Sequence, residues 1–160
     1  MSYLQNCSLY IQGNNNKITI GENVRVRQGD LYIEDDNNLI KIGNSTSIMG
    51  YTHIAVTEGK KAIIGEECMF SSDVVIRTGD SHSIIDNGGS RVNQARDVII
   101  GDHVWLGNKT TILKGSTISS NSIVGTGSIV TKEFKKANVI LVGNPAKIVR
   151  ENTNWLKERI

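Results

Sequence analysis

The sequence predicts an all-β protein, a parallel β-helix wound from short strands in three-sided coils. Three observations predict it. The first is a six-residue repeat. From Ile100 the steps of six land on Leu106, Ile112, Ile118, Val124 and Val130, all aliphatic, and Gly101, Gly107 and Gly125 follow their starts. Four residues after each start comes a small or β-branched residue: Val104, Thr110, Ser116, Ser122, Ser128. The second is composition. The chain has 22 Ile and 13 Val against 8 Leu and 5 Ala, which favours pleated strands over helices. Its 16 Gly and 16 Asn supply many tight turns. The third is the spacing of equivalent residues: Ile100 to Ile118 is 18 and Ile64 to Ile100 is 36, one and two coils of three hexads.

The elements follow in order along one domain, residues 1–160. Coils run from about residue 9 to 131. Ile20-Gly21 and Val24 open an early copy, and Ile42 and Ile48, with Thr46 and Thr52, the next. Ile64, Phe70 and Ile76 continue it, with Cys68 and Val74 as the small inward residues. Ile20, Ile42 and Ile64 step by 22, so these coils carry about four extra residues at one corner. Stacked coils repeat at roughly 4.8 Å, the strand spacing. A sandwich would give period two, not a sustained six.

Two places break the repeat. Asp80 falls where a small inward residue is due, and a buried unpaired carboxylate is costly, so the chain leaves the prism near Gly79 and returns at about Val98. Residues 81–97 form a long polar loop, a length that usually signals function. After Lys132 a C-terminal extension, 132–160, carries an apolar strand at Val139–Val142, a Gly143-Asn144-Pro145 turn and a short terminal helix with Trp155, Leu156 and Ile160 on its apolar stripe.

Charge excludes some functions. Lys and Arg number 18 and Asp and Glu 16, so nothing favours nucleic acid or an anionic membrane as partner. No apolar run spans a bilayer and no secretory signal opens the chain. Cys7 and Cys68 cannot build a disulfide framework and fit a reducing cytoplasm, the expected location. Cys68 sits at an inward position and reads as core.

These residues resemble the left-handed β-helix acyltransferases, in the branch of sugar O-acetyltransferases that includes galactoside, maltose, capsule and lipopolysaccharide enzymes. The resemblance rests on the hexads, on Gly79-Asp80-Ser81-His82-Ser83-Ile84-Ile85-Asp86, on Ile100-Gly101-Asp102-His103-Val104-Trp105-Leu106-Gly107 and on Gly143-Asn144-Pro145-Ala146-Lys147. It covers residues 11 to 150. It implies left-handed coils, a homotrimer, acetyl-CoA in the groove between subunits as co-substrate, a sugar or glycan acceptor and a loop histidine as general base.

Acetyl transfer needs a base for the attacking hydroxyl, stabilisation of the thioester oxygen and two substrates held together. His82, at the mouth of the long loop, takes the place of the family's catalytic histidine, and a neutral imidazole suits the task at pH 7. Asp86 or Asp80 could orient it, or serve only to fix the loop. The family position of Trp105 is in the active-site groove. Matching the family pattern places Gly107, Asn108, Gly125, Thr126, Thr131, Lys132, Lys147 and Arg150 on the cofactor path, with Gly125 allowing close approach of the pantetheine arm. Lys147 stands where the family often has Arg, and binds phosphate as a point charge. Glu58, Ser72 and Arg77, in coils beside the loop, are candidates for the acceptor. His53 and His103 are expected to face outward. Positions 53, 82 and 103 lack the close pair of a three-histidine zinc site, so no metal is expected.

The chain therefore reads as an acetyl-CoA-dependent O-acetyltransferase on a sugar of a bacterial surface polysaccharide or its precursor. An N-acetyltransferase on a nucleotide-linked amino sugar would use the same groove and base. A non-catalytic β-helix scaffold is the reading from another class. The galactoside enzymes that the chain resembles close the acceptor pocket with an N-terminal helical segment, whereas this β pattern begins by about Leu9. The resemblance thus leads to the expectation of a more open groove suited to a polymer or lipid-linked glycan.

Overall fold

A computed structural model describes all 160 residues. The chain is a parallel β-solenoid of about six turns with three faces. The first face stacks Lys17–Ile20, Leu39–Ile42, Lys61–Ile64, Val98–Ile100, Thr117–Ile118 and Glu133–Phe134. The second carries Met69–Phe70, Trp105–Leu106, Ile123–Val124 and Val139–Gly143. The third carries Cys7–Ile11, Val74–Arg77, Thr111–Ile112 and Ile129–Val130. Two long strands, Arg25–Ile33 and Ser47–Val56, bend from the second face to the third and join both into one 12-stranded sheet.

The register follows the expected spacing. Ile20 pairs Ile42, which pairs Ile64; Ile64 pairs Ile100, and Ile100 pairs Ile118, all parallel. The extra residues of the early coils lie at the corner from third face to first, since the step from Ile54 to Ile64 is ten and earlier steps are six. The long loop leaves from that same corner, between Val74–Arg77 and Val98–Ile100.

The core is the predicted inward set. Ile64, Cys68, Phe70, Val74, Ile76, Val104, Leu106, Ile112, Ile118, Val124 and Val130 are fully buried, and so are Thr110, Ser116, Ser122 and Ser128. Each buried aliphatic side chain contributes roughly 1.5–3 kcal/mol. Neighbouring backbone bonds two of the small hydroxyls: Ser116 Oγ donates to Val130 O at 3.0 Å, and Ser128 Oγ accepts from Gly143 N at 3.0 Å, whereas Thr110 Oγ1 is buried without a partner. Burial pushes the Cys68 thiol up to about 11.

The corner between first and second faces accounts for three of the asparagines. Asn23, Ser45, Glu67, His103, Asn121 and Asn138 occupy equivalent places there, all at φ between 52° and 60°. Left-handed backbone costs most side chains about 1–2 kcal/mol, and Asn least among non-glycines.

The expected C-terminal helix is absent. Ala146–Glu151 instead pairs antiparallel with Val139–Gly143 and extends the second face as a hairpin. Trp155 is buried, and the chain around it forms no helix. Its indole stacks on His103, with centroids 4.2 Å apart, and donates Nε1–H to His103 O at 2.8 Å. The docked ring leaves His103 half-buried where an outward surface histidine was expected. No helix is long and apolar enough to cross a membrane.

Candidate active site

The loop leaves where Asp80 would have to point into the core. Outside the core, Asp80 is paired with Lys114 and accepts a hydrogen bond from Asn93 Nδ2 at 2.9 Å. Partial burial works against the Asp80 carboxylate, but the bonds from Lys114 and Asn93 outweigh it and hold its pKa below the ordinary value. On the other side of the loop Arg91 grips Glu58 with two nitrogens, at 3.0 and 2.6 Å. That bidentate contact lowers the Glu58 pKa against the effect of burial. Arg77 Nη2 donates to Ser81 Oγ at 2.6 Å, and Arg96 N donates to Thr78 O at 2.9 Å. The loop is thus tied to the solenoid at several points.

His82 lies between these ties. It is exposed, and its ring makes no hydrogen bond within the chain, although its carbonyl accepts Asn93 Nδ2 at 2.8 Å. Neither suggested carboxylate reaches it. Asp86 Oδ1 accepts the amides of Gly88 and Ser90, both at 2.9 Å, and closes the loop's tip. Asp80 is committed to Lys114 and Asn93. Glu58, suggested for the acceptor, is committed to Arg91.

Most of the cofactor candidates fall on other edges of the prism; Thr131 and Lys132 share the loop's corner. Asn108 and Thr126 form a column at the corner between second and third faces. Ser72, expected beside the loop as an acceptor residue, lies in this column instead because it falls between Met69–Phe70 and Val74–Arg77. Asn108 Oδ1 accepts Ser72 N at 3.2 Å, and Asn108 O accepts Gly127 N at 2.8 Å. The glycines beside them have a packing reason. A Cβ on Gly107 would meet Thr126 N at 2.8 Å, and one on Gly125 would meet Val142 Cγ2 at 2.8 Å. Trp105 is half-buried on the second face, 6.1 Å from Trp155, with Nε1 3.5 Å from Ser71 Oγ. Lys147 and Arg150 are exposed on the hairpin strand that extends this face, where they pair Val142 and Ile140. Thr131 and Lys132 are exposed at the corner from third face to first, from which the loop departs two turns earlier, with Lys132 Nζ 5.5 Å from the Phe134 ring centroid. One chain therefore assembles a cofactor column and a histidine loop on different edges.

A polar cavity of about 440 Å³ lies at the foot of the Ser72 column, lined among others by Gln5, Arg27, Gln28, Tyr51 and Ser72. Beside it Asp30 accepts from Ser8 and Tyr51, bonds that lower its pKa, and lies 3.8 Å from His53 Nδ1. Burial first, then the Arg77 charge, lower the His53 pKa despite Asp30. Asn93, Lys114 and Trp155 carry contacts that sequence reasoning missed. Lys114 carried one signal: it precedes Gly115 at the corner from which the loop departs one turn earlier.

No family model matches the chain. It is 35% identical over 168 residues to a polysialic acid O-acetyltransferase of Neisseria meningitidis, across 92% of this chain and 78% of that protein. It is 36% identical over 103 residues to a polysialic acid O-acetyltransferase of Escherichia coli O1:K1, 64% of this chain, and spans only 33% of that protein. Among solved structures, a polysialic acid O-acetyltransferase superposes over 100% of this chain and 93% of that one, with a TM-score of 0.77 and 31% identity. A galactoside acetyltransferase in complex with coenzyme A superposes over 83% of this chain and 64% of its own, at 0.59 and 26%.

Proposed function

Because the chain belongs to the hexapeptide-repeat β-helix acetyltransferases, in the branch acting on sugars and polysialic acid, we propose that it moves an acetyl group from acetyl-CoA to a hydroxyl of an acidic bacterial polysaccharide. The observation that carries this reading is the His82 loop, anchored on both sides while its imidazole stays free for a substrate. The end-to-end similarity to a polysialic acid O-acetyltransferase supports the acceptor class.

In this reaction the His82 imidazole takes the proton of the attacking hydroxyl as its oxygen adds to the thioester carbon. The tetrahedral intermediate collapses, the C–S bond breaks, and the proton passes from His82 to the departing CoA sulfur. Asn108 and Thr126 border the cofactor, Trp105 forms the groove wall, and Lys147 and Arg150 meet its phosphates. Arg77, one Nη tied to Ser81 beside His82, faces the acceptor. The placement of base loop and cofactor column on different edges supports a homotrimer, in which one subunit's loop meets its neighbour's column.

The test is turnover. Purified protein with acetyl-CoA and polysialic acid should release CoA thiol and form an acetyl ester that mild base removes. An acetyl group stable to mild base would point to nitrogen as acceptor. No thiol release with any acidic glycan would overturn the proposal.

A further inference from the structure

We infer that Asn93 is the positioning residue of the His82 loop: its buried amide holds the main chain immediately after His82 and the Asp80 carboxylate before it, and couples them to two solenoid turns. This rests on His82 being the base.

Residues 81–90 are all exposed, yet Asn93 is only 6% exposed. Its side chain bonds at all four of its hydrogen-bonding positions. Nδ2 donates to His82 O at 2.8 Å and Asp80 Oδ2 at 2.9 Å. Oδ1 accepts Ile84 N at 2.8 Å and Arg91 Nε at 3.1 Å. An amide has two donors and two lone pairs, so none is left over. The partners also fix its orientation, since His82 O and Asp80 can only accept and Ile84 N can only donate. The two peptide units flanking Ser83, the residue after His82, are therefore gripped from one point.

That point is itself held from two directions. Lys114, on the turn above, donates to Asn93 O at 2.9 Å and pairs with Asp80. Gly115 next to it donates its amide to Asp97 O at 3.1 Å, which fixes the loop's exit. Glu58, from the turn below, holds Arg91, which reaches Asn93 Oδ1. No side chain of the loop hydrogen-bonds the imidazole, so the bonds that set its position run through the backbone. A 1 Å error in such a position can cost about 10²-fold in rate.

Two variants test this in the full-length protein: Asn93→Ala, and Lys114→Met, which keeps the side-chain stem. Each is assayed for kcat, for the KM of acetyl-CoA and for amide exchange. Both should lower kcat by about 10–100-fold with the acetyl-CoA KM within about twofold. Protection at Ile84 should fall while amides from Val98 to Val130 keep theirs. His82→Ala should lose turnover with Ile84 still protected, because the ring makes no bond. Unchanged kcat with Ile84 still protected in both variants would overturn the inference. So would loss of protection throughout the solenoid, which would make Asn93 a stability residue. If His82→Ala keeps full turnover, the base assignment fails, and Ile84 exchange still decides whether Asn93 holds the loop.

Discussion

Trp155 lies nearly parallel to His103, 11° between their planes, and hydrogen-bonds the His103 carbonyl from 52 residues away. The contact closes the C-terminal segment over the corner that precedes Trp105. Large buried aromatics truncated to Ala cost about 3–5 kcal/mol in a core, and this edge site should cost about 2–3. Trp155→Ala should lower the melting temperature by roughly 4–12 °C, measured by calorimetry. An unchanged melting temperature would show that the tail is not docked in solution.

Gly107 separates packing from ligand binding. Its missing Cβ makes room for Thr126 N of the next turn. Gly107→Ala should destabilise the protein by about 1–3 kcal/mol even without acetyl-CoA. If stability holds and only acetyl-CoA affinity falls, the glycine serves the ligand and not the stacking.

The loop's ionic ties set its behaviour in acid. Both Glu58 and Asp80 have lowered pKa values in the fold, so their contribution is complete above the ordinary values of 4.5 and 3.8 and is lost as pH falls through the lowered ones. Protection of the Ile84 amide should stay constant from pH 7 to about pH 5 and decline only in more acid solution. A decline between pH 7 and pH 5 would place its control on another group.

Cys68 should be inert. It is fully buried, its thiol is raised to about 11, and its Sγ donates to Gly101 O at 3.2 Å. The thiolate is the reactive form. At pH 8 iodoacetamide should modify Cys7 faster than Cys68 in the native protein, and both once it is unfolded. Equal native rates would mean that the prism opens.

The repeat was legible because burial enforces it. A residue stacked inward between Ile64 and Val130 must be apolar or small, so the period survives in the sequence. Asp80 marked the loop's exit by the cost of burying it. The terminal hairpin is hidden from a local reading because Trp155, Leu156 and Ile160 have helical spacing. What decides that segment is pairing with Val139–Gly143 and the carbonyl of His103, which no local pattern encodes. The loop's location was readable, but its anchoring was not: Asp80 meets Asn93 and Lys114, 13 and 34 residues away, and Arg91 meets Glu58 at 33. Such contacts depend on which turns stack at one corner.

The most direct test of the whole account is turnover of acetyl-CoA with polysialic acid at pH 7 by the parent protein and by His82→Ala, with acetyl-CoA affinity measured alongside. The account predicts base-labile acetylation by the parent, a loss of at least about 10²-fold in kcat for the variant, and near-equal affinity. Turnover by His82→Ala at the parent rate would contradict it.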